Sequence, residues 1–364
     1  MKIENVQTCL VSLPFDSGGA GGWESTAWTS LDYVLVRIDT DAGISGWGDG
    51  FGYGAAHATR AAIEHMIAPG LIGRDARDIA GIARSLQFQN HIWGRYGVTM
   101  FAISGIDIAL WDIAGKATGQ PLHRMLGGAR RMRIPAYASL FRYQRPEVVA
   151  ERTRAALDEG FRFIKLHEVR EPEVRAAREA AGAGVPIMVD VNCEWTPHQA
   201  RAMTDLLLPY QMYWLEEPIF PPEDFASLSR LHRDTGVAIA AGENACTAFQ
   251  FQQMIDAGGI RYLQPSVTKV GGISEMRKIF ALAETSGASV MPHSPYFGPG
   301  LLASLHLLAT QPDECLAEFF YYKDLPASLY GDAARASDGF MTVPDGPGLG
   351  LDPDPDVIRE YAVK

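Results

Sequence analysis

The sequence has little cysteine, no excess of positive charge and no long apolar run. Its four cysteines lie far apart without a CxxC pair, so their spacing predicts neither a zinc site nor a disulfide framework. Its 43 acidic residues outnumber 32 basic ones, and the net charge of −11 argues against nucleic-acid and anionic-membrane partners. No stretch reaches the roughly 18 apolar residues of a membrane span. Without a basic and apolar leader, we expect a cytoplasmic protein with reduced thiols.

A regular spacing of polar residues organises the second half of the chain. Short apolar runs end in a polar residue at steps of 23 to 27 positions. A strand, a helix and two loops together need about 25 residues, so the spacing predicts a parallel β/α barrel with polar groups converging at the strand C-termini. These polar ends are Lys165, Asp190, Glu216, Glu243, Ser266, His293 and Glu318.

The flanking segments predict additions to this barrel. Residues 1–125 contain a strand, a glycine-turn hairpin and a helix that is apolar nearly all round, so we expect an α+β capping domain. The barrel is expected at residues 126–320, with its first strand at 134–139. Residues 321–364 form a turn-rich segment that we expect to return to the cap. The expected fold class is therefore α/β.

Two glycine-rich loops of the cap carry aromatic side chains. Residues 18–22 contain four glycines and precede Trp23, and residues 50–54 carry Phe51 and Tyr53 between glycines. Because fixing the backbone of glycine costs much conformational entropy, the first loop is either disordered or a lid that brings Trp23 to a ligand.

Three consecutive strand ends carry the carboxylates Asp190, Glu216 and Glu243. Converging carboxylates repel one another unless a cation neutralises them, and ligation by oxygen alone favours a hard ion. The set therefore predicts a Mg²⁺ site, the alternative being three surface acids that happen to end strands. Strand alternation points Glu217 away from Glu216, so we assign Glu216 as the ligand.

Basic side chains flank this acidic set. Lys165 and His167 face the same way along one strand, and His293 ends the seventh unit. A carboxylate bound to Mg²⁺ acidifies the adjacent carbon, and Lys165 can take that proton if nearby cations lower its pKa. Taken singly, a solvated lysine and hydrogen-bonded histidines are the alternative reading.

Six motifs resemble those of the enolase superfamily, in its mandelate racemase-like branch. They lie at residues 104–112, 190–192, 215–218, 242–244, 269–272 and 344–350. The resemblance implies a modified (β/α)7β TIM barrel under an α+β cap, one Mg²⁺, and proton abstraction beside a carboxylate. It also implies substrate specificity from the loops around residues 18–23 and 50–54, a small-molecule carboxylate substrate, and a homo-oligomer.

The sequence departs from this family at two positions. His167 stands where a second lysine is usual, and Ser266 stands where the family has an aspartate or a lysine. Without that aspartate, His293 should be a weaker base, which disfavours a racemase with two bases and suits β-elimination. Glu318 matches a position whose acid hydrogen-bonds the substrate carboxylate. The remaining residues expected to bind substrate are Trp23, Tyr53, Asn192 and Ser266.

The favoured prediction is dehydration of an acid sugar to a 2-keto-3-deoxy acid through an enediolate. Lys165 would take the α-proton, His293 would protonate the departing hydroxide, and His167 is a further catalytic candidate. The alternatives are a racemase or epimerase, a cycloisomerase that opens an acid-sugar lactone, and a metal-binding barrel that has lost catalysis. The sequence does not name the acid sugar.

Overall fold

The computed structural model describes residues 1–18, 28–293, 297–312 and 314–363, which contain two β-sheets and their helices. The strands are β1 Ile3–Pro14, β2 Ser30–Thr40, β3 Ser45–Gly50, β4 Arg133–Ser139, β5 Ile164–Leu166, β6 Ile187–Asp190, β7 Met212–Glu216, β8 Ile239–Ala241, β9 Ile260–Leu263, β10 Ser289–Val290, β11 Ala317–Phe320 and β12 Phe340–Thr342. The helices are α1 Ala56–Ala62, α2 Ile79–Gln89, α3 Val98–Thr118, α4 Leu122–Met125, α5 Pro146–Asp158, α6 Glu171–Ala181, α7 Pro197–Leu207, α8 Phe225–Thr235, α9 Thr247–Ala257, α10 Gly272–Ser286, α11 Pro299–Ala309 and α12 Pro355–Glu360.

The cap is built on the antiparallel sheet β1-β2-β3, with α3 packed against β3. Glycine permits this close approach, because a Cβ on Gly48 would lie 2.1 Å from the backbone oxygen of Gly105. Helix α3 is long and apolar enough to cross a membrane, yet 78% of its most apolar window is buried in the fold. Helix α3 is therefore apolar on all sides because it is a core helix packed between two layers.

The barrel contains eight parallel strands in the order β10-β9-β8-β7-β6-β5-β4-β11, with α5 to α11 connecting successive strands along the chain. The sheet is strongly curled, since side chains from strands at both ends of this order and from its middle form one buried cluster. Its members are Tyr137, Met188, Trp214, Ala240, Tyr262, Met291 and Leu316. This arrangement is the (β/α)7β fold expected from the sequence.

The C-terminal segment joins both parts of the molecule. Strand β12 pairs antiparallel with β4 of the barrel. The amide of Leu122 donates to the carbonyl of Gly348 at 2.8 Å, and the amide of Val363 donates to the carbonyl of Leu10 at 2.8 Å. The segment thus returns to the cap as expected, while the proposed domain limits at residues 125 and 320 stay a prediction.

The cap also contacts the barrel near its mouth, at the start of α10. Asp107 of α3 is buried, and its Oδ2 accepts a hydrogen bond of 2.9 Å from the amide of Ser274 in the first turn of α10. Burial raises the pKa of Asp107 to about 7. The carboxylate therefore has a structural role in the cap–barrel contact.

Candidate active site

The three acidic strand ends meet at one place in the barrel mouth. Asp190 and Glu216 are the last residues of β6 and β7, which pair in register, and Glu243 follows β8 by two residues. One oxygen from each carboxylate lies within 4.8 Å of the others. The repeating strand–helix unit thus brings together acids that are more than 20 residues apart in sequence.

The electrostatics of this triad fit a hard divalent cation. Burial and the charge of Asp190 raise the pKa of Glu216 well above its ordinary value, so the two acids repel each other in a dry site. Trp214 Nε1 donates to Glu216 Oε2 at 2.8 Å and holds that carboxylate in the barrel interior. Clustered oxygen ligands with excess negative charge suit Mg²⁺, so Asp190, Glu216 and Glu243 are the residues that would hold it.

Lys165 lies at the Asp190–Glu216 end of the triad and is fully buried. Its Nζ lies 3.1 Å from Asp190 Oδ2, 2.9 Å from Glu216 Oε1 and 2.7 Å from Glu318 Oε1. Burial disfavours the ammonium, but these carboxylates outweigh it and raise the pKa of Lys165 above its ordinary value. This direction is opposite to the one expected from sequence, because that expectation assumed that a bound cation neutralises the carboxylates.

His167 lies beside Asp190 on the Lys165 face, as strand geometry predicts. Its Nδ1 donates to the carbonyl of Leu140 at 2.5 Å, and its Nε2 lies 3.3 Å from Asp190 Oδ2. Although burial works against ionisation, Lys165 and His167 together hold the pKa of Asp190 below its usual range. The carbonyl contact fixes the ring orientation and leaves Nε2 as the atom facing the site.

His293 lies at the other end of the triad, where its Nε2 is 3.1 Å from Glu243 Oε2. Its Nδ1 is buried and has no hydrogen-bond partner among the described residues. Ser266 contacts the Thr268 hydroxyl at 3.2 Å. Burial lowers the pKa of His293, with partial opposition from Glu243. No described carboxylate lies behind Nδ1, and the role of His293 as an acid or a base stays a prediction.

The expected substrate-binding residues lie around this centre. Glu318 accepts a hydrogen bond of 2.8 Å from Ser139 in addition to its contact with Lys165. The amide of Asn192 donates to Asp190 Oδ1 at 2.9 Å, and the buried Oδ1 of Asn192 has no described partner. Ser266 is buried and lines a narrow cavity between cap and barrel, and none of the triad residues lines that cavity. Their roles in binding substrate stay predictions.

The second cap loop reaches the barrel mouth. Lys269 Nζ lies 4.8 Å from the centre of the Phe51 ring, and the ring of Tyr53 meets that of Trp28 edge-on at 4.8 Å. The loop at residues 50–54 therefore contacts the segment that follows β9, the sixth barrel strand. Trp23, the other aromatic residue expected at the site, lies outside the described residues.

Two residues in contact with the site were missed by the sequence analysis. Glu217 is buried, and its Oε2 accepts a hydrogen bond of 2.6 Å from Asn244 Nδ2. Two features of the sequence could have indicated them: the pair of acidic residues at 216–217 and the asparagine directly after Glu243. Alternation failed here because Glu217 has a φ of 37° and does not continue the extended strand.

Comparison with family models covers most of the chain. Residues 24–127 match the N-terminal domain of mandelate racemase / muconate lactonizing enzyme. Residues 148–357 match the domain described as enolase C-terminal domain-like. The first match corresponds to the cap and the second to the barrel, in the same order along the chain.

Curated and solved relatives span nearly the full length. The chain is 31% identical to D-galactarolactone cycloisomerase of Agrobacterium fabrum, covering 99% of each chain. It is 30% identical to arabinonate dehydratase of Saccharolobus solfataricus, over 92% of this chain and 91% of that one. The crystal structure of L-talarate dehydratase from Polaromonas sp. JS666, complexed with Mg and L-glucarate, superposes with a TM-score of 0.84 at 29% identity, covering 100% of this chain and 98% of that one.

Proposed function

The chain belongs to the mandelate racemase/muconate lactonizing enzyme family of the enolase superfamily, and on that premise we propose that it is a Mg²⁺-dependent acid-sugar dehydratase. The product would be a 2-keto-3-deoxy acid. The observation that carries the proposal is the placement of Lys165 and His293 at opposite ends of one carboxylate triad. A base and an acid separated in this way suit removal of a proton and a hydroxide from neighbouring carbons.

In this proposal Asp190, Glu216 and Glu243 hold Mg²⁺. When bound, the ion supplies Lewis-acid stabilisation of the negative charge that develops on the substrate carboxylate. Lys165 Nζ takes the α-proton as a free amine, which its carboxylate contacts hold in place. These carboxylates raise its pKa, so a bound cation would have to neutralise them before the amine could act as the base. Proton removal beside a carboxylate gives an enediolate, and Glu318 orients that carboxylate by a hydrogen bond.

His293 and His167 complete the proposed proton transfers. His293 Nε2 gives a proton to the departing hydroxide, which requires the protonated ring. Burial lowers the pKa of His293, and Glu243, 3.1 Å from Nε2, opposes that effect and favours the protonated form. His167 contacts Asp190 through Nε2 and is a second candidate for proton transfer on the Lys165 face. Asn192, Ser266, Tyr53 and Trp23 are the proposed contacts to the sugar hydroxyls.

Cycloisomerisation of an acid-sugar lactone is the second candidate, and the match to a D-galactarolactone cycloisomerase favours it. Ring opening of this kind also removes an α-proton and expels an oxygen, so Lys165 and His293 would have the same roles. A two-base racemase or epimerase is disfavoured, because the buried Nδ1 of His293 has no described carboxylate partner. A barrel without catalysis is disfavoured by the presence of the triad together with both acid–base groups.

The test is incubation with Mg²⁺ and a panel of aldonic acids, aldaric acids and their lactones in D₂O, followed by NMR. Dehydration gives a new keto product, cycloisomerisation consumes a lactone without loss of water, and epimerisation incorporates deuterium without loss of water. Glu216→Gln should weaken Mg²⁺ binding and activity together. Absence of exchange and product with every substrate refutes the proposed function.

We also propose a cytoplasmic homo-oligomer that acts on a small-molecule carboxylate and binds neither nucleic acid nor membrane. All four cysteines are free thiols, as a reducing compartment allows. Ile92 and Trp93 are 77% and 64% exposed, and Phe249 is 73% exposed. A contact of 3.4 Å between Tyr96 and Thr247 joins the two segments that carry them. Patches of exposed apolar side chains are typical of interfaces. Light scattering of Trp93→Asp should then show a smaller species than the wild type.

A further inference from the structure

Glu217 leaves the regular strand geometry directly after β7. Its φ of 37° lies in the left-handed region that residues with side chains rarely adopt, and only 3% of its surface is exposed. This turn of the backbone directs two consecutive acidic side chains to the mouth of the barrel. Burial and the charges of Glu243 and Asp190 raise the pKa of Glu217 to about 7.

The Glu217 carboxylate holds both chain neighbours of Glu243. Its Oε1 accepts a hydrogen bond of 3.2 Å from the amide of Gly242, and its Oε2 accepts one of 2.6 Å from Asn244 Nδ2. Asn244 Oδ1 in turn accepts a contact of 3.4 Å from Lys269 Nζ. The loop that carries Glu243 is thus fastened immediately before and immediately after the candidate ligand.

The same residue holds the loop that follows Asp190. Cys193 Sγ donates to Glu217 Oε2 at 3.4 Å, and the amide of Cys193 donates to the Glu217 carbonyl at 2.7 Å. Glu217 is also joined by a peptide bond to Glu216. One buried side chain therefore links the three segments that carry the candidate metal ligands.

We propose that Glu217 is a positioning residue that fixes the spacing of Asp190, Glu216 and Glu243 and thereby sets their affinity for a divalent cation. The inference rests on the proposed function, because it assumes that the triad holds the metal. Glu217 is not assigned as a ligand, since both of its oxygens already accept hydrogen bonds from the two flanking loops. Residues that orient metal ligands typically change metal affinity 10–100-fold when they are replaced.

The experiment measures Mn²⁺ binding to the chelator-treated full chain by electron paramagnetic resonance, which detects free Mn²⁺ without any substrate. Glu217→Ala should bind Mn²⁺ about 10–100-fold more weakly than the wild type. Glu217→Gln should recover part of the loss, because its amide oxygen still accepts a hydrogen bond from Gly242 or Asn244. Asp107→Asn is the matched control, since Asp107 is a buried carboxylate whose pKa is also raised to about 7. Its Mn²⁺ affinity should be unchanged.

Unchanged Mn²⁺ affinity in folded Glu217→Ala overturns the inference and leaves Glu217 with a role in stability alone. If Glu217→Ala does not fold, Asn244→Ala decides between the same two results, because it removes the 2.6 Å bond from the other side. Failure of the proposed function looks different: the wild type then binds no Mn²⁺, or Glu216→Gln binds it as tightly as the wild type.

Discussion

Replacement of Lys165 by methionine should destabilise the metal-free protein strongly. Methionine keeps an unbranched side chain of similar length but removes the ammonium that contacts Asp190, Glu216 and Glu318 within 3.1 Å. Loss of one partner from a buried ion pair leaves uncompensated charge and costs about 3–5 kcal/mol. Because three buried carboxylates would be left together, we expect the free energy of unfolding to fall by the upper part of this range at pH 8.

The loss should depend on pH with a defined sign. Lys165 holds the pKa of Glu318 and of Asp190 below their ordinary values against the effect of burial. Without the ammonium these pKa values rise, and the acids take up protons as the pH falls. Lys165→Met should therefore be closer to the wild type at pH 5.5 than at pH 8, which urea unfolding in the presence of chelator measures.

A divalent cation should offset the same loss. A ligand that binds only the folded state at 100 times its Kd adds about 2.7 kcal/mol. The matched control is Lys116→Met, which removes an ammonium 2.8 Å from the buried Asp112 in the cap. Measured against the wild type at the same Mg²⁺ concentration, the stability loss should shrink in Lys165→Met and stay the same in Lys116→Met. Equal stability of Lys165→Met and the wild type at pH 8, or equal Mg²⁺ rescue of both variants, would refute this reasoning.

Two further predictions concern titration. His306 donates from Nε2 to the Leu349 carbonyl at 3.0 Å, and burial lowers its pKa from 6.5 to about 4. The neutral ring therefore adds about 3 kcal/mol of stability above pH 6.5, which is lost as the pH falls toward 4. In urea unfolding, His306→Asn should lose less stability than the wild type as the pH falls from 6.5 toward 4. An unchanged loss of stability over this pH range contradicts the assignment. Glu318→Gln removes one of the carboxylates that raise the pKa of Lys165, so activity should begin to rise at a lower pH; an unmoved pH–rate profile argues against Lys165 as the base.

The barrel and its triad could be predicted because they depend on a repeating unit. Asp190 and Glu216 end β6 and β7, as the count of residues required. The later polar ends are less regular: Glu243 follows β8 by two residues, and His293 follows β10, a strand of two residues, by three. The spacing of about 25 residues is kept at these positions because the total length of strand, helix and loops stays nearly constant. Only the residue at which the strand ends differs from unit to unit.

Other features of the site could not be predicted because they depend on local backbone geometry or on distant contacts. The left-handed backbone of Glu217 has no signature in strand alternation. Burial lowers the pKa of Lys165, and the charges of Glu216 and Glu318 raise it above its ordinary value. Glu318 lies 153 residues further along the chain (318 − 165) but only 2.7 Å away in space. The pairing of His123 with His306 likewise joins α4 to α11 across the cap–barrel junction.

The measurement that tests the central claim most directly is exchange of the substrate C2 proton in D₂O, followed by NMR, with an acid sugar that the wild type converts. Lys165→Ala should lose both C2 exchange and product, because the proposed base is removed. His293→Asn should lose product and retain exchange, because the proton leaves before the hydroxide. Retention of C2 exchange in Lys165→Ala would contradict the assignment of Lys165 as the base and the dehydration mechanism built on it.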